Sequence, residues 1–460
     1  MERARLFPQY KPALIVCLGG YAYGTALAWT SNITDGLENG VLNGMIMNYA
    51  QLSWAASAFA FGAMFSSLGI GFGADAKGRK FALLLTVIPF TVGWILILLS
   101  SNIYMICLGR FLTGLGGGGI NVVAPMYTTE IAQTHLRGSF SIMVQLFVSL
   151  GVLHSMVLGW ALPIFYFNVA CMTFPVVFGL CFWFQPETPY YYLKKGKKEE
   201  AENSFKRLRG KEYDFSVELK YFNLEIEELK SGQNSTKFMK VLKTKSQIKA
   251  TIICFMLMFF QQFSGIAPVL FYTKDIFINS STPVPPYLGV IITGVVGLLG
   301  TASSVWLIDR IGRILLLNIS AALCAVGAFL LGLFFTFKIK LDEDDVRKVS
   351  YFLPILATVI FLFGFNLGLG PIPWLTCSEL LSVLIRAKLS SIIGAFHWLL
   401  IFLITKFYLD ASEIHGIDNT FYIFMSISFG CILFVSIIIP EASHRTYVEV
   451  LPYLENFFLQ

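Results

Sequence analysis

The chain has 460 residues, of which 56% are hydrophobic and only 13% are charged, and its formal net charge is +6. Soluble domains contain about 25% charged residues, so this composition excludes an ordinary soluble protein and places most of the chain in lipid. The positive charge requires no nucleic-acid partner, because the cytoplasmic loops of membrane proteins are basic.

Long apolar segments predict twelve membrane-spanning helices, because a helix needs roughly 20 mostly apolar residues to cross a bilayer. The first six segments are 12–33, 52–74, 81–101, 104–128, 138–161 and 163–185. The last six are 248–273, 286–308, 314–337, 351–377, 388–409 and 419–439. We therefore predict an all-α membrane protein with two six-helix bundles, in which the first segment is an uncleaved helix and not a signal peptide.

A polar stretch divides these segments into two groups of six. We predict an N-terminal bundle at 1–185, a partly helical cytoplasmic linker at 186–247, a C-terminal bundle at 248–440 and a cytoplasmic tail at 441–460. Most Lys and Arg residues outside the spans fall on the linker's side, which the positive-inside rule assigns to the cytoplasm together with both termini. Segment 338–348 opposes this orientation, since its four basic residues would be extracellular.

Two N-glycosylation sequons fall at the ends of spans that this orientation makes extracellular. They begin at Asn32 and Asn279. We interpret both as candidate acceptor sites on the outer side of the membrane.

A short charged loop occurs in both halves, after the second predicted helix of each. The copies are Gly71-Phe-Gly-Ala-Asp75-Ala-Lys-Gly78-Arg79-Lys80 and Asp309-Arg310-Ile-Gly312-Arg313. Glycine supplies the backbone freedom that a tight turn requires, and Asp and Arg at helix ends can form charge-assisted hydrogen bonds to neighbouring helices. The repetition indicates a duplicated membrane protein of the transporter class, in which one half moves against the other.

Other acidic and basic residues occupy matching places in the two halves near the same face. The whole charged set is Asp75, Arg79, Glu130, Arg137, Asp309, Arg313, Glu379 and Arg386. We expect salt bridges between the halves that close the cytoplasmic side and break when it opens. Helix capping and snorkelling of long side chains are the simpler alternative.

Motifs spread over essentially the whole chain carry a family resemblance. They are Gly71…Asp75…Gly78-Arg79-Lys80, Gly109-Arg110-Phe111, Tyr127…Glu130-Ile-Ala, Pro186-Glu187-Thr188-Pro189, Gln261-Gln262-Phe-Ser-Gly265-Ile266, Asp309-Arg310-Ile-Gly312-Arg313 and Gly370-Pro371-Ile-Pro373-Trp374…Glu379. Together they resemble the sugar-porter family of the major facilitator superfamily, and within it most the facilitated trehalose or hexose transporters of arthropods. The resemblance implies the major facilitator fold and alternating access to a central site.

The resemblance also implies a sugar site between the two halves. Sugar hydroxyls donate and accept hydrogen bonds, so such a site needs amide and aromatic side chains. The expected substrate-binding residues are Gln145, Gln261, Gln262, Asn366, Trp374, His397 and Trp398. Pro371 and Pro373 would break the tenth helix so that it can bend as a gate. As alternatives, Gln145 and Asn366 could join helices, and Trp374 could anchor at the membrane interface.

Several positions depart from the family pattern in the second half. Ala267 and His397 stand where the family commonly has Asn, and Gly297 stands where a polar residue is expected. These departures remove expected sugar contacts. His397 could bind the substrate or titrate, or it could donate one hydrogen bond to a neighbouring helix.

The first predicted span contains no acidic residue, which bears on energy coupling. Proton symport commonly needs a buried acid close to a base, and Arg110 lacks the Asp partner that the resemblance implies for proton-coupled members. We therefore predict facilitated diffusion of trehalose or a hexose. A transport-deficient sugar sensor and a carrier of a non-sugar solute are the alternatives. The intact cytoplasmic charges argue against the sensor.

Other classes of site lack support in the sequence. The phosphate-binding pattern G-x-x-x-x-G-K-[ST] is absent, and the cysteines show neither CxxC nor CxxH spacing, so neither a metal site nor a disulfide framework is supported. We expect no enzymatic activity, no cofactor, no nucleic-acid partner and no obligate protein partner. The expected partners are a sugar and membrane lipid, and the expected location is the plasma membrane.

Overall fold

The computed structural model describes residues 7–38, 46–133, 136–210, 213–214, 216, 218–220, 222, 242–271, 273–280, 285–340 and 352–439, and these residues contain no β-strand. The first half contains α1 (Phe7–Leu27), α2 (Trp29–Glu38), α3 (Tyr49–Lys77), α4 (Arg79–Leu98), α5 (Ile103–Ile131), α6 (Arg137–Ala161) and α7 (Ile164–Trp183). Two short helices follow, α8 (Pro189–Lys194) and α9 (Lys198–Arg209).

The second half begins with α10 (Lys245–Phe263), α11 (Ile266–Phe271), α12 (Thr273–Ser280), α13 (Pro286–Ile311) and α14 (Arg313–Lys340). It continues with α15 (Leu353–Gly364), a π-helical segment (Phe365–Leu369), α16 (Ile372–Leu380), α17 (Val383–His415) and α18 (Ile417–Ile438).

Eleven helical stretches in the described residues are long and apolar enough to cross a membrane. The remaining predicted span, 12–33, corresponds to α1 and α2, which a turn at Ala28 separates. Helix α1 packs among α5, α6 and α7 and is largely buried. Its glycines, tyrosines and threonine lower its hydropathy, so its place in the bundle depends on packing more than on apolar length.

The seventh predicted span, 248–273, is not one continuous helix. Helix α10 ends at Phe263, and α11 begins at Ile266. Between them Gly265 has a φ of 99°, a conformation that residues with a Cβ rarely adopt. A Cβ at this glycine would also lie 2.6 Å from the Phe424 ring on α18. The predicted span is confirmed as one apolar stretch, Lys245–Leu270, that contains a local break at Gly265.

The tenth span breaks between α15 and α16. The π-helical segment Phe365–Leu369 comes first, and Gly370 and Pro371 follow before α16 begins at Ile372. Pro373 lies in the first turn of α16, where a missing N–H leaves no helical hydrogen bond unmade. Of the two prolines named from the sequence, Pro371 thus lies next to the break and Pro373 lies beyond it.

Glycines allow neighbouring helices of the first half to approach until their backbones touch. A Cβ at Gly24 of α1 would lie 2.1 Å from the Val148 carbonyl oxygen of α6, and one at Gly151 would lie 2.1 Å from the Tyr21 carbonyl oxygen. Helices α3 and α5 meet through Gly62 in the same way. Small residues at helix contacts are how membrane helices gain close packing.

The two halves meet along two helix pairs, α3 with α17 and α6 with α13. We call the membrane face that carries Arg79 and Arg313 the basic face, and the opposite one the outer face. At the outer face α2 contacts both α11 and α12, so the first and seventh spans touch there.

Candidate functional site

Gln261 binds the backbone at the break in the tenth span. Its Nε2 donates to the carbonyl oxygens of Leu369 at 2.7 Å and Gly370 at 2.8 Å. Carbonyls at a helix end lack an intrahelical partner, so this amide satisfies groups that the break exposes. Of the two neighbouring glutamines, Gln261 thus holds the broken helix against α10.

Gln262 faces α17 instead. Its Nε2 lies 3.2 Å from Nδ1 of His397, and the amide nitrogen can only donate, so Nδ1 accepts and the imidazole proton lies on the other nitrogen. The Oε1 atom of Gln262 is buried and has no hydrogen-bond partner among the described residues. A buried amide with a free acceptor is poised for a ligand or a water molecule.

Two indole rings of the second half flank His397. The ring of Trp374 lies 4.9 Å from the imidazole, and the ring of Trp398 lies 5.4 Å from it, both measured between centroids. Trp398 in turn contacts Phe59 and Tyr23 of the first half at 6.0 and 6.2 Å. Its Nε1 is a buried donor without a partner in the described part of the chain.

The structure brings five of the seven expected substrate residues together: Gln261, Gln262, Trp374, His397 and Trp398. We call them the central cluster. Tyr23 and Phe59 join it from the first half, and sequence reasoning missed both. No signal in the sequence distinguishes these two rings from the many aromatic residues in its apolar segments.

The other two expected substrate residues, Gln145 and Asn366, lie outside the contacts that join the central cluster. Gln145 is exposed on α6, one turn before Ser149. Asn366 lies in the π-helical segment, where its Nδ2 donates to the Leu362 carbonyl oxygen at 2.9 Å. Neither side chain bonds to the central cluster in the hydrogen bonds described.

Arg110 is a fully buried cation in the first half. It has no salt bridge to an acidic side chain among the described residues. Its partners are the carbonyl oxygens of Ala26 (2.9 Å) and Ala55 (3.4 Å), the Thr30 hydroxyl (3.3 Å), and the rings of Trp29 and Phe59 (4.8 and 4.7 Å). Carbonyl dipoles and aromatic faces thus replace a carboxylate around the guanidinium.

Arg79 holds together three helices at the basic face. Its Nε lies 2.9 Å from Glu130 of α5, and its Nη2 lies 3.2 Å from Asp75 of α3. Thr188 donates to the other Glu130 oxygen at 2.6 Å. All four residues belong to the first half or to the start of the linker. The salt bridges that we expected between the halves are therefore, for Arg79, bridges within one half.

Glu187 binds the start of α4. Its carboxylate accepts the backbone N–H groups of Arg79, Lys80 and Thr188 at 3.2, 2.9 and 2.8 Å. Burial raises the pKa of this carboxyl, while the N–H donors of Thr188 and Lys80 lower it. An acceptor at a helix N-terminus satisfies N–H groups that have no partner in the helix.

The remaining charged residues of the set are described only in part. Arg313 is buried at the first residue of α14. The side chains of the others lie outside the described residues; they are Arg137, Asp309, Glu379 and Arg386. Their expected bridges between the halves stay a prediction.

A polar clamp at the basic face was missed by sequence reasoning. Arg209 of α9 is buried, donates to the Ile131 carbonyl oxygen at 2.7 Å, and pairs with Glu218 at 2.8 Å. Tyr213 donates to Glu218 and accepts from Gln133, so the end of α5 is joined to the linker. No local pattern marks Arg209 among the many basic residues of this stretch.

The sequon at Asn32 is not available for glycosylation in this structure. The Asn32 side chain is buried, and its Nδ2 donates to the carbonyl oxygen of Ser155 at 2.9 Å. Attachment of a glycan to that nitrogen requires an exposed amide, so the buried Asn32 side chain is not accessible as an acceptor in this conformation. The side chain of Asn279 lies outside the described residues.

Comparison with known proteins gives consistent matches over most of the chain. The profile of the family described as "Sugar (and other) transporter" matches residues 12–452. The chain is 33% identical over 445 residues to the facilitated trehalose transporter Tret1 of Apis mellifera ligustica, covering 96% of this chain and 87% of that protein. It is also 33% identical over 445 residues to Tret1 of Drosophila virilis, covering 97% of this chain but 48% of that protein. The chain thus spans about half the length of the Drosophila relatives it matches.

Solved structures of major facilitator proteins superpose on the chain. The proton:xylose symporter XylE bound to 6-bromo-6-deoxy-D-glucose gives a TM-score of 0.77 at 21% identity, covering 97% of this chain and 98% of XylE. The inward-open form of XylE from E. coli gives 0.78 at 20% identity, covering 97% and 99%. The predicted all-α major facilitator fold is confirmed by these matches.

Proposed function

This chain belongs to the sugar (and other) transporter family, and we propose that it carries a sugar across the plasma membrane by facilitated diffusion with alternating access. One observation carries the substrate class. The central cluster holds a buried acceptor, Gln262 Oε1, and a buried donor, Trp398 Nε1, and neither has a partner in the described residues. A hydroxyl group donates and accepts at once, so hydroxyl groups of a sugar can satisfy both atoms.

The aromatic residues of the central cluster fit the same ligand. Sugars present apolar C–H faces between their hydroxyls, and Trp374 is a half-buried ring beside His397. A site with apolar walls and a few placed polar atoms is typical of small-molecule binding. We propose that Trp374 contacts the sugar ring, while Gln261 keeps the tenth span bent around it.

Facilitated diffusion is supported by the surroundings of Arg110. A proton carried with the substrate needs a group that titrates near a base. The guanidinium contacts two backbone carbonyls, one hydroxyl and two aromatic rings, and none of these groups binds a proton at physiological pH. Arg110 thus serves in this proposal as a structural cation between α1, α3 and α5.

Trehalose or a hexose is the proposed substrate, because the relatives that match at about a third identity are named facilitated trehalose transporters. We further propose two bundles, 1–185 and 248–440, joined by the linker 186–247, with both termini and the tail 441–460 in the cytoplasm. In this orientation the basic face is cytoplasmic. The outer face is the side on which α2 contacts α11 and α12.

Uptake of labelled trehalose and glucose into a transporter-null cell tests this function. Saturable uptake that survives a proton uncoupler, and that Gln262→Leu abolishes, is the expected result. Asn318→Leu is the matched control, since this amide lies in α14 and donates to Ser436 of α18, away from the central cluster. No uptake of either sugar, with the protein verified at the cell surface, would overturn the proposal and favour a sensor or a carrier of another solute.

A further inference from the structure

We propose that Cys254 and Cys377 form a reversible disulfide, which fixes the tenth span against the seventh when hydrogen peroxide oxidises the protein. The two thiols lie on α10 and α16, outside the central cluster and outside the charged set at the basic face. The inference rests on the proposed function, because this disulfide stops the transport cycle. The bond itself depends only on the two cysteines and can be detected without transport.

Two hydrogen bonds define how α10 and α16 lie against each other. Gln261 donates to the Gly370 carbonyl oxygen at 2.8 Å, and Gln247 accepts the backbone N–H of Ser382 at 3.2 Å. Residue numbers fall along α10 as they rise along the other chain segment, so the two run antiparallel. Cys254 lies midway between the two glutamines, about two helical turns from each.

Cys377 occupies the matching level of α16. It lies about two helical turns beyond Gly370 and before Ser382, which places it at the same depth as Cys254. A side-chain hydrogen bond joins the two thiols. Their side chains are buried, with exposed fractions of 0% for Cys254 and 3% for Cys377. Two thiols in contact across antiparallel helices are placed to form a disulfide with little backbone movement.

Helix α16 has a non-helical joint at each end. It begins after the break at Gly370 and Pro371, and it ends before Leu381, whose backbone is extended ahead of α17 at Val383. A helix of nine residues between two such joints can move as one unit when the carrier opens. Movement away from α10 exposes the thiols to small solutes, and a covalent bond between them prevents that movement.

The oxidation consumes one hydrogen peroxide and releases two molecules of water. One cysteine, as its thiolate, attacks a peroxide oxygen; the O–O bond breaks, a sulfenic acid forms, and the departing hydroxide takes up a proton as water. The second sulfur then attacks the sulfenic sulfur. The S–O bond breaks, the S–S bond forms and the second water leaves, so two thiols are oxidised while one peroxide is reduced. Cytoplasmic thiols reverse the bond by exchange, which makes such disulfides transient and suited to redox sensing.

Other buried cysteines of the second half lack such a joint. Cys324 of α14 and Cys431 of α18 are as buried as the proposed pair, but their helices are continuous and pack against each other. The Cys324 thiol also donates to the Phe361 carbonyl oxygen at 3.7 Å. Cys431 therefore provides a control of equal burial that no moving helix exposes.

Oxidation of the full chain in cell membranes tests the inference. Cells are treated with hydrogen peroxide, the remaining free thiols are blocked, and the peptides are analysed by mass spectrometry without reduction. Sugar uptake is measured before oxidation, after it, and after treatment with dithiothreitol. Cys254→Ala and Cys377→Ala each remove one partner, and Cys431→Ala is the matched control. The peptide analysis of wild-type protein requires no variant to fold.

We expect peptides joined through Cys254 and Cys377 in wild-type protein and in Cys431→Ala, with loss of uptake that dithiothreitol restores. In Cys254→Ala and Cys377→Ala uptake survives the peroxide. Absence of the joined peptides, or joined peptides with unchanged uptake, would overturn the inference alone. Absence of any sugar uptake before oxidation would instead refute the proposed function, and the peptides would still decide whether the two thiols form a bond.

Discussion

The imidazole of His397 fixes the orientation of the Gln262 amide, because Nδ1 of the ring lies 3.2 Å from the amide nitrogen. This contact joins α17 to α10 and leaves Gln262 Oε1 as an unpartnered acceptor in the described part of the chain. A residue that departs from the family pattern in the sequence therefore takes a defined place in the central cluster. His397 orients the Gln262 amide in this arrangement, and the imidazole needs no change of charge to do so.

His397→Leu should raise the KM for sugar uptake by about 10-fold, because the Gln262 amide loses the acceptor that orients it. His154→Leu is the control, since His154 lies on α6 and packs against the rings of Tyr21 and Phe174 at 5.5 and 5.6 Å. The measurement is the concentration dependence of uptake at equal surface expression. Equal KM values in both variants would contradict the orienting role of His397.

Ala26→Asp should convert facilitated diffusion into uptake that depends on a proton gradient. The Ala26 carbonyl oxygen already lies 2.9 Å from Nη1 of Arg110, so an acid on this turn of α1 is placed beside a buried cation. A buried acid next to a base is the arrangement that proton transfer needs.

Ala26→Asn provides a neutral control of nearly equal size for this variant. Uptake should be measured with and without an uncoupler over a range of external pH. Uncoupler-sensitive uptake only in Ala26→Asp is the expected result. Wild-type uptake that already collapses with the uncoupler would contradict the assignment of facilitated diffusion.

Lys406→Met and Ser53→Ala should show coupled effects on stability. The Lys406 ammonium donates to the Ser53 hydroxyl oxygen at 2.9 Å, which joins α17 to α3 across the two halves. A double-mutant cycle in thermal unfolding should give a coupling free energy of about 1 kcal/mol. Lys249→Met combined with Ser53→Ala should give no coupling free energy. Lys249 lies on α10, and the hydrogen bond to Ser53 comes from Lys406 of α17. Additive effects for Lys406 and Ser53 would mean that the bond contributes nothing measurable.

Gly24→Ala should destabilise the folded protein by about 2 kcal/mol or more. The new Cβ would lie 2.1 Å from the Val148 carbonyl oxygen, and a backbone atom cannot turn aside as a side chain can. Gly69→Ala is the control, because Gly69 is also helical and a Cβ added there would meet no atom of another helix within 4 Å. Thermal unfolding of the purified proteins should show a large loss for Gly24→Ala and little change for Gly69→Ala.

The span pattern could be read from the sequence because it depends on local properties. Helix boundaries follow from apolar length and from glycine or proline at the ends, as with Gly78 between α3 and α4 or Gly312 between α13 and α14. The break at Pro371 was also visible in the residues themselves. The break at Gly265 was not, because a single glycine in an apolar run is equally compatible with close helix packing.

The sequence by itself determined the class of protein, the fold and the residue types available for a sugar site, since hydropathy, charge and motifs are properties of neighbouring residues. Only the tertiary structure decided which of those residues meet. It paired Arg79 with Glu130 inside one half, placed Ser149 against Thr301 at a separation of 152 residues, and buried the Asn32 amide against Ser155. Such partners depend on how helices pack across distances in the chain, and packing is decided by the shape of whole helix faces and not by any local pattern.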